Sequence, residues 1–224
     1  MQRVLEPEVM DTPEEAIEYD RMDFTEVNTA FAQRAIELGP QSGLVLDAGT
    51  GTARIPILIC QQCPQWHIIA IDLAPNMLLI GSKNVEQAGL QKQIVLELVD
   101  SKQLPYQDGQ FEMVLSNSLV HHLPDPLPFL LEIKRVLKPN GAILIRDLIR
   151  PADEAIMNAM VDSIGSDYDE HQKMLFRDSL HAAFTIDEVN ELVQKAGLEG
   201  VQVEQSSDRH WTAQRQYLEV LLDS

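Results

Sequence analysis

From Leu44 to Ile145 the chain alternates short apolar runs with longer stretches of helical periodicity. The apolar runs are Leu44–Leu46, Ile68–Ile71, Ile94–Val99, Phe111–Leu115 and Ala142–Ile145. Short runs separated by helical patterns read as strands joined by crossover helices. A parallel sheet built that way must bury both faces, so helices are expected on each side. Ile55 to Cys60 starts one such helix, with Pro56 in its first turn. Pro75–Ala88 is another, ended by Gly89 in the left-handed conformation. Asp125-Pro126 reads as an N-cap with proline at the first helical position. The helix that follows carries Phe129, Leu130, Ile133, Val136 and Leu137 on one face, and Pro139-Asn140-Gly141 stops it.

Beyond Asp147 the pattern loosens. Residues 152–183 are helical in propensity, acidic and rich in Met and Asp. Thr185-Ile-Asp-Glu188 is a capping box opening a helix that ends near Gly197. Val201–Val203 and Tyr217–Leu221 read as a closing pair of strands, an antiparallel hairpin on the sheet edge. The expected organisation is one domain, 1–224. It comprises an N-terminal helical cap (1–42), a core (43–150), a helical lid insertion (151–184), and a C-terminal helix with the last strands (185–224).

The residues at the strand ends carry the chemistry. The first strand runs into Asp47-Ala-Gly-Thr-Gly-Thr-Ala53. A strand, Gly-x-Gly and a helix form the Rossmann arrangement, in which glycines let backbone approach a ligand closely. A dinucleotide site wants a third glycine at position 54, where this chain has Arg54. Asp47 would repel a pyrophosphate, but it suits a ligand bearing an ammonium and a sulfonium. Asp72 follows the second strand and can accept from ribose hydroxyls. Asp100-Ser101 follows the third, where a carboxylate can accept from an exocyclic amino group. Ser116-Asn117-Ser118 and His121-His122 follow the fourth. All of these lie on the carboxyl side of the sheet, where open α/β sheets bind ligands. Any one of the acids alone would read as a loop or capping residue; their shared register points to one site.

Val45-Leu-Asp-Ala-Gly-Thr-Gly-Thr-Ala53, Ile71-Asp-Leu-Ala-Pro-Asn-Met77, Leu104-Pro-Tyr-Gln-Asp-Gly-Gln-Phe111 and Leu137-Lys-Pro-Asn-Gly-Ala142 resemble, in order and spacing, the class I S-adenosylmethionine-dependent methyltransferases of small-molecule type. The resemblance implies a doubly wound α/β fold: a seven-stranded, mostly parallel sheet, helices on both faces, the last strand antiparallel. It implies S-adenosyl-L-methionine as cofactor, with S-adenosyl-L-homocysteine as product. Gly49, Thr50 and Gly51 would approach the methionine part and Asp47 would orient its amino group. Asp72 would hold the ribose, with Leu73 and Met77 near the adenine, Asp100 and Ser101 on the adenine edge, and Asn117 near the methionine end. The chain departs from the family at Ala53, often glycine, and at Ala74, often a capping Ser or Thr worth roughly 1 kcal/mol.

The implied activity is in-line methyl transfer to a nucleophile on a small molecule. The transfer needs positioning and dry surroundings more than a metal or a covalent intermediate, and no metal site is expected. A general base is needed only for a protonated nucleophile. His121 and His122 are the candidates, although orienting the loop or packing at the start of the next helix is the favoured reading of the pair. On the acceptor side, Tyr19, Arg146 and Arg150 are candidates. Residues 10–30 and 151–184 would cover the acceptor, with Tyr19, Met22, Phe24, Met157, Met160, Tyr168, His171 and Met174 as lining. A cofactor-binding regulatory module and a protein methyltransferase are the competing readings, and a nicotinamide oxidoreductase is opposed by Asp47 and Arg54.

The net charge is -18, from 17 basic and 35 acidic residues. It argues against nucleic-acid and anionic-membrane partners, as does the lack of an Asn-Pro-Pro-Tyr type sequence after the fourth strand against methylation of base amino groups. No apolar run approaches the roughly 20 residues of a spanning helix, and the first 20 residues carry no basic stretch leading into an apolar one. A cytoplasmic location is expected. Nine acids fall within residues 1–26 (Glu6, Glu8, Asp11, Glu14, Glu15, Glu18, Asp20, Asp23, Glu26), read either as a solvated face or as a segment facing a cationic or neutral acceptor. Cys60 and Cys63 lie near a helix C-terminus, where the dipole does not activate a thiol, and His67 leaves any metal set one ligand short.

Overall fold

The computed structural model describes residues 1–6, 11–165 and 168–219, so Glu8 and the last two residues of Tyr217–Leu221 lie outside the described residues. In chain order the elements are α1 (Pro13–Arg21), α2 (Thr25–Leu38), β1 (Gly43–Ala48), α3 (Arg54–Gln62), β2 (Trp66–Asp72), α4 (Pro75–Ala88), β3 (Ile94–Leu98) and β4 (Phe111–Asn117). Then come α5 (Leu127–Val136), β5 (Leu137–Leu148), α6 (Glu154–Asp162), α7 (Glu170–Ala182), α8 (Ile186–Ala196), β6 (Gln202–Gln205) and β7 (His210–Arg215).

The seven strands form one sheet in the order β3-β2-β1-β4-β5-β7-β6. All pairings through β5 are parallel, and β7 runs antiparallel between β5 and β6. Alternation along each strand divides the core in two. Leu46, Val114, Ile143 and Ile145 face one side with Phe129 and Ile133 of α5 and Val189 of α8. Val45, Met113, Leu115 and Leu144 face the other with Phe31 of α2 and Ile57 and Ile59 of α3. This is the doubly wound arrangement that the alternating sequence predicts. Phe129 is fully buried, so truncating it to alanine costs roughly 3–5 kcal/mol.

Local signals decide several boundaries. Gly89 at φ 71° closes α4, with Leu90 N–H donating to the Val85 carbonyl and Gly89 N–H to that of Glu86. Thr185 and Glu188 cap each other at the start of α8. Three expectations shift. The fifth helix starts at Leu127 because Asp125 accepts from Leu127 N–H, which makes Pro126 the cap. The turn Pro139–Gly141 is absorbed into β5, where the register jumps from Phe111↔Leu137 to Met113↔Ala142. The last described strand is His210–Arg215, and residues 217–219, the described part of Tyr217–Leu221, carry no strand. Trp211 and Ala213 supply its buried face, whereas Tyr217 and Leu218 leave the sheet and donate to the carbonyls of Leu38 and Asn140. No described helix is long and apolar enough to cross a membrane.

Candidate cofactor and acceptor site

The sheet reverses direction of growth between β1 and β4, so a crevice opens at the carboxyl ends of its central strands. After β1 the chain turns through Gly49 (φ 77°) and Gly51 (φ 54°). Gly49 and Thr50 N–H both donate to the Ile71 carbonyl, which ties the loop to the end of β2. Ala53 completes the turn at φ 62°. A left-handed alanine costs roughly 1–2 kcal/mol more than glycine would, so the departure seen in the sequence is a strained position.

Asp72 ends β2 and accepts from Gly51 N–H at 2.7 Å through Oδ2 and from Ala74 N–H at 2.9 Å through Oδ1. A carboxylate has about four acceptor sites, so about two remain toward the crevice, enough for a vicinal diol. Burial raises its pKa, opposed by those N–H groups. Asp47 lies 2% exposed at the end of β1. Burial, reinforced by the nearby Asp72 charge, pushes its carboxyl up to about 7. A buried acid of this kind favours a cation beside it. At the end of β3, Asp100 accepts from Lys102 N–H and pairs with the Lys102 ammonium at 3.0 Å.

Gly49, Gly51, Asp72, Leu73, Met77, Asp100 and Ser101 together line one cleft of about 770 Å³, its mouth included. Asp47 and Thr50 stand behind this lining. Helix α1 lies across the cleft, its Ala16 and Tyr19 packed with Met77 and Ala74. Burial and the charges of Asp72, Asp20 and Asp47 push the Tyr19 phenol up to about 12, so it stays a donor. The N-terminal acids act largely as staples. Asp11 accepts from Asn76 N–H and so supplies the cap that Ala74 lacks. Asp20 holds Arg54 at two points and also Asn84, and Glu15 closes a capping box with Thr12.

A second cavity of about 1540 Å³, mouth included, adjoins the first, and Tyr19 and His122 line both. Tyr19, Met22, Phe24 and Tyr168 line it as the sequence suggests. Asn117 and Arg146 line it too, so Asn117 is on this side rather than in the first cleft. The Arg146 Nε donates to Asn117 Oδ1 at 3.1 Å, and burial pushes the guanidinium down to about 10, still charged at neutral pH. Met157 instead packs in the lid core with Leu148 and Leu180, and Met160 packs against them. His171 and Met174 point to solvent. The α7 face that does line the cavity is Gln172, Leu175, Phe176 and Ser179, which only the register of α7 reveals. Arg150 lines neither cavity. It is buried, donating to the Ala183 carbonyl and pairing with Glu188 at 2.6 Å, and joins the end of α7 to α8.

The two histidines follow Ser118, itself left-handed at φ 57°, in a short 3-10 turn over Val120–His122. His121 is 4% exposed, and its Nδ1 lies 2.5 Å from Asp147 Oδ1. Burial opposes the imidazolium, but the Asp147 carboxylate outweighs it and raises the His121 pKa. His121 Nε2 faces Glu6 Oε1 at 3.3 Å, and His122 Nδ1 faces the same oxygen at 3.1 Å. The sequence gives no hint of Glu6 here, 115 residues away in the chain. It is placed by a strap in which Arg3 donates to the carbonyls of Ala182, Pro124, His121 and Leu123, and stacks 3.8 Å over Phe184.

Residues 46–145 match the family model described as a methyltransferase domain. The chain is 32% identical over 122 residues to a ubiquinone/menaquinone biosynthesis C-methyltransferase, UbiE, of a Geobacter species; the match covers 54% of this chain and 52% of that protein. The chain thus spans about half the length of the curated relatives it matches. A crystal structure of a SAM-dependent methyltransferase from Aquifex aeolicus shares the fold at TM-score 0.68 and 18% identity, covering 93% of this chain and all of that one. A phosphoethanolamine N-methyltransferase from Haemonchus contortus, solved with S-adenosylhomocysteine, does so at TM-score 0.67 and 19% identity over 87% of this chain and 44% of that one. Outside residues 46–145, side chains of α1, α2 and α7 supply part of the lining of the second cavity.

Proposed function

We propose that the chain is an S-adenosyl-L-methionine-dependent methyltransferase that methylates a small molecule by in-line transfer. One observation carries this reading: the acids and glycines ending β1, β2 and β3 line or underlie a single cleft that adjoins a second cavity at Tyr19 and His122. The donor set fits the cofactor. Buried Asp47 suits its ammonium, Asp72 its ribose diol, and Asp100 with Ser101 its adenine edge, with Leu73 and Met77 as apolar walls. When bound, the cofactor supplies an already activated methyl group. The work left to this chain is to align the acceptor and exclude water. Helix α1, with Tyr19, shields one side, and α7 the other. Arg146, held by Asn117, and the phenol of Tyr19 offer fixed donors to acceptor oxygens.

Enclosure by α1 and α7 favours a small acceptor over a protein chain, and Met22, Phe24, Leu175 and Phe176 favour one with an apolar body. The name of the quinone-pathway relative is compatible with such an acceptor. The test is incubation with methyl-labelled cofactor and a cell extract, separated by size. The reading expects label in small molecules; label confined to protein, or no transfer, contradicts it.

A further inference from the structure

We infer that Glu6, His121 and His122 form a binding site for one divalent transition-metal ion, with an open coordination position facing the second cavity. The three side chains each offer one ligand atom, and these atoms all lie within 4.8 Å of one another. Glu6 Oε1 is 3.3 Å from His121 Nε2 and 3.1 Å from His122 Nδ1. Zinc bonds to such atoms of about 2.0–2.1 Å place neighbouring ligands of a tetrahedron about 3.3 Å apart. Both distances from Glu6 Oε1 are compatible with ligands sharing an ion.

The surroundings agree. Glu6 Oε1 is buried, and among the described residues no donor is aligned on it. Its other oxygen accepts from Ser179 Oγ, which fixes the carboxylate's orientation. His121 directs Nδ1 at the buried Asp147 at 2.5 Å, the carboxylate–histidine support that sets tautomer and ring orientation at metal centres and leaves Nε2 as the ligand atom. Asp147 is itself fixed by Leu148 and His121 N–H. Two imidazoles and one carboxylate suit a borderline ion such as Zn²⁺ or Fe²⁺ rather than Mg²⁺ or Ca²⁺. Three protein ligands leave a position open, and both histidines line the second cavity. No metal site is expected from the sequence, and Glu6 lies 115 residues from His121 in the chain.

On the methyltransferase reading, the open position adjoins the acceptor, and a hydroxyl bound there is more acidic. Metal binding needs no acceptor, so its test stands apart from that reading. Tag-free protein is stripped with a chelator and titrated with Co²⁺, following the visible absorption of the bound ion. One equivalent should bind. Glu6→Gln and His122→Ala should each weaken binding at least tenfold, and Asp147→Asn about 10- to 100-fold. A Cys60→Ser, Cys63→Ser double variant should bind as the parent does. Far-UV circular dichroism identifies any variant that misfolds; Glu6→Gln, which keeps the shape of the side chain, decides if Asp147→Asn does. No saturable binding, or equal affinity in the folded Glu6→Gln protein, overturns the site.

Discussion

Replacing Asp47 with asparagine should change stability in a way that depends on pH with a calculable sign. The carboxyl titrates near 3.8 when unperturbed and near 7 in the fold. Between those values the unfolded chain has already released a proton that the native state keeps. Ionisation therefore favours the unfolded state, increasingly as pH rises from about 4, and the cost levels off above about 7. The full shift corresponds to about 4 kcal/mol. From pH 5 to pH 8 the share incurred is about 2–3 kcal/mol, because part of it is present at pH 5. Asparagine has the same shape and no such titration. Paired urea denaturation of parent and Asp47→Asn, without ligand, should show the variant gaining about 2–3 kcal/mol relative to the parent over that interval. Taking the difference cancels the other titrating groups. With S-adenosylhomocysteine the order should invert. Its ammonium stabilises the ionised parent, so affinity should rise with pH up to about 7 in the parent and stay flat and weaker in the variant. A parent–variant gap that does not move with pH would refute the reasoning about this buried acid.

Other outcomes follow from single positions. Ala53→Gly relieves a left-handed alanine and should stabilise the fold by up to about 1 kcal/mol after the extra chain entropy of glycine; thermal unfolding measures it. Asp11→Ala removes the cap lent to α4 and should cost about 1 kcal/mol, with Ala74→Ser restoring much of it. The Cys60 thiol is pushed up to about 12, mainly by burial, and that of Cys63 is raised. A disulfide reagent at pH 7 should therefore label the native protein far more slowly than free cysteine, and both thiols promptly in guanidinium; fast native labelling would contradict the burial.

Much of this architecture was legible where the signal is local. Alternating apolar runs announced the sheet, Gly89 and Thr185 announced helix ends, and the acids after successive strands announced the cleft because strand register places them together. The misses are long-range. Asp11 caps a helix 65 residues on, and Glu6 meets His121 through the Arg3 strap. Neither contact leaves a periodicity to read. Residues 152–183 contain the helices expected there, but of the side chains named as lining only Tyr168 lines the second cavity, because which face of a helix points inward depends on how it docks. Tyr217 and Leu218 look strand-like because apolar content is shared by strands and by segments that merely hydrogen-bond beside a sheet. Arg150 followed a strand as a ligand residue would, yet the Glu188 carboxylate claimed it.

The central claim is that the carboxyl ends of β1, β2 and β3 hold an adenosyl group, with the ribose on Asp72. The most direct measurement is calorimetric titration with S-adenosylhomocysteine of the parent and of an Asp72→Ala protein shown to be folded. Saturable one-to-one binding by the parent is predicted, weakened about 100-fold in the variant, the loss of hydrogen bonds to a charged acceptor worth about 3 kcal/mol. No heat from the parent, or equal affinity in the two proteins, would contradict it.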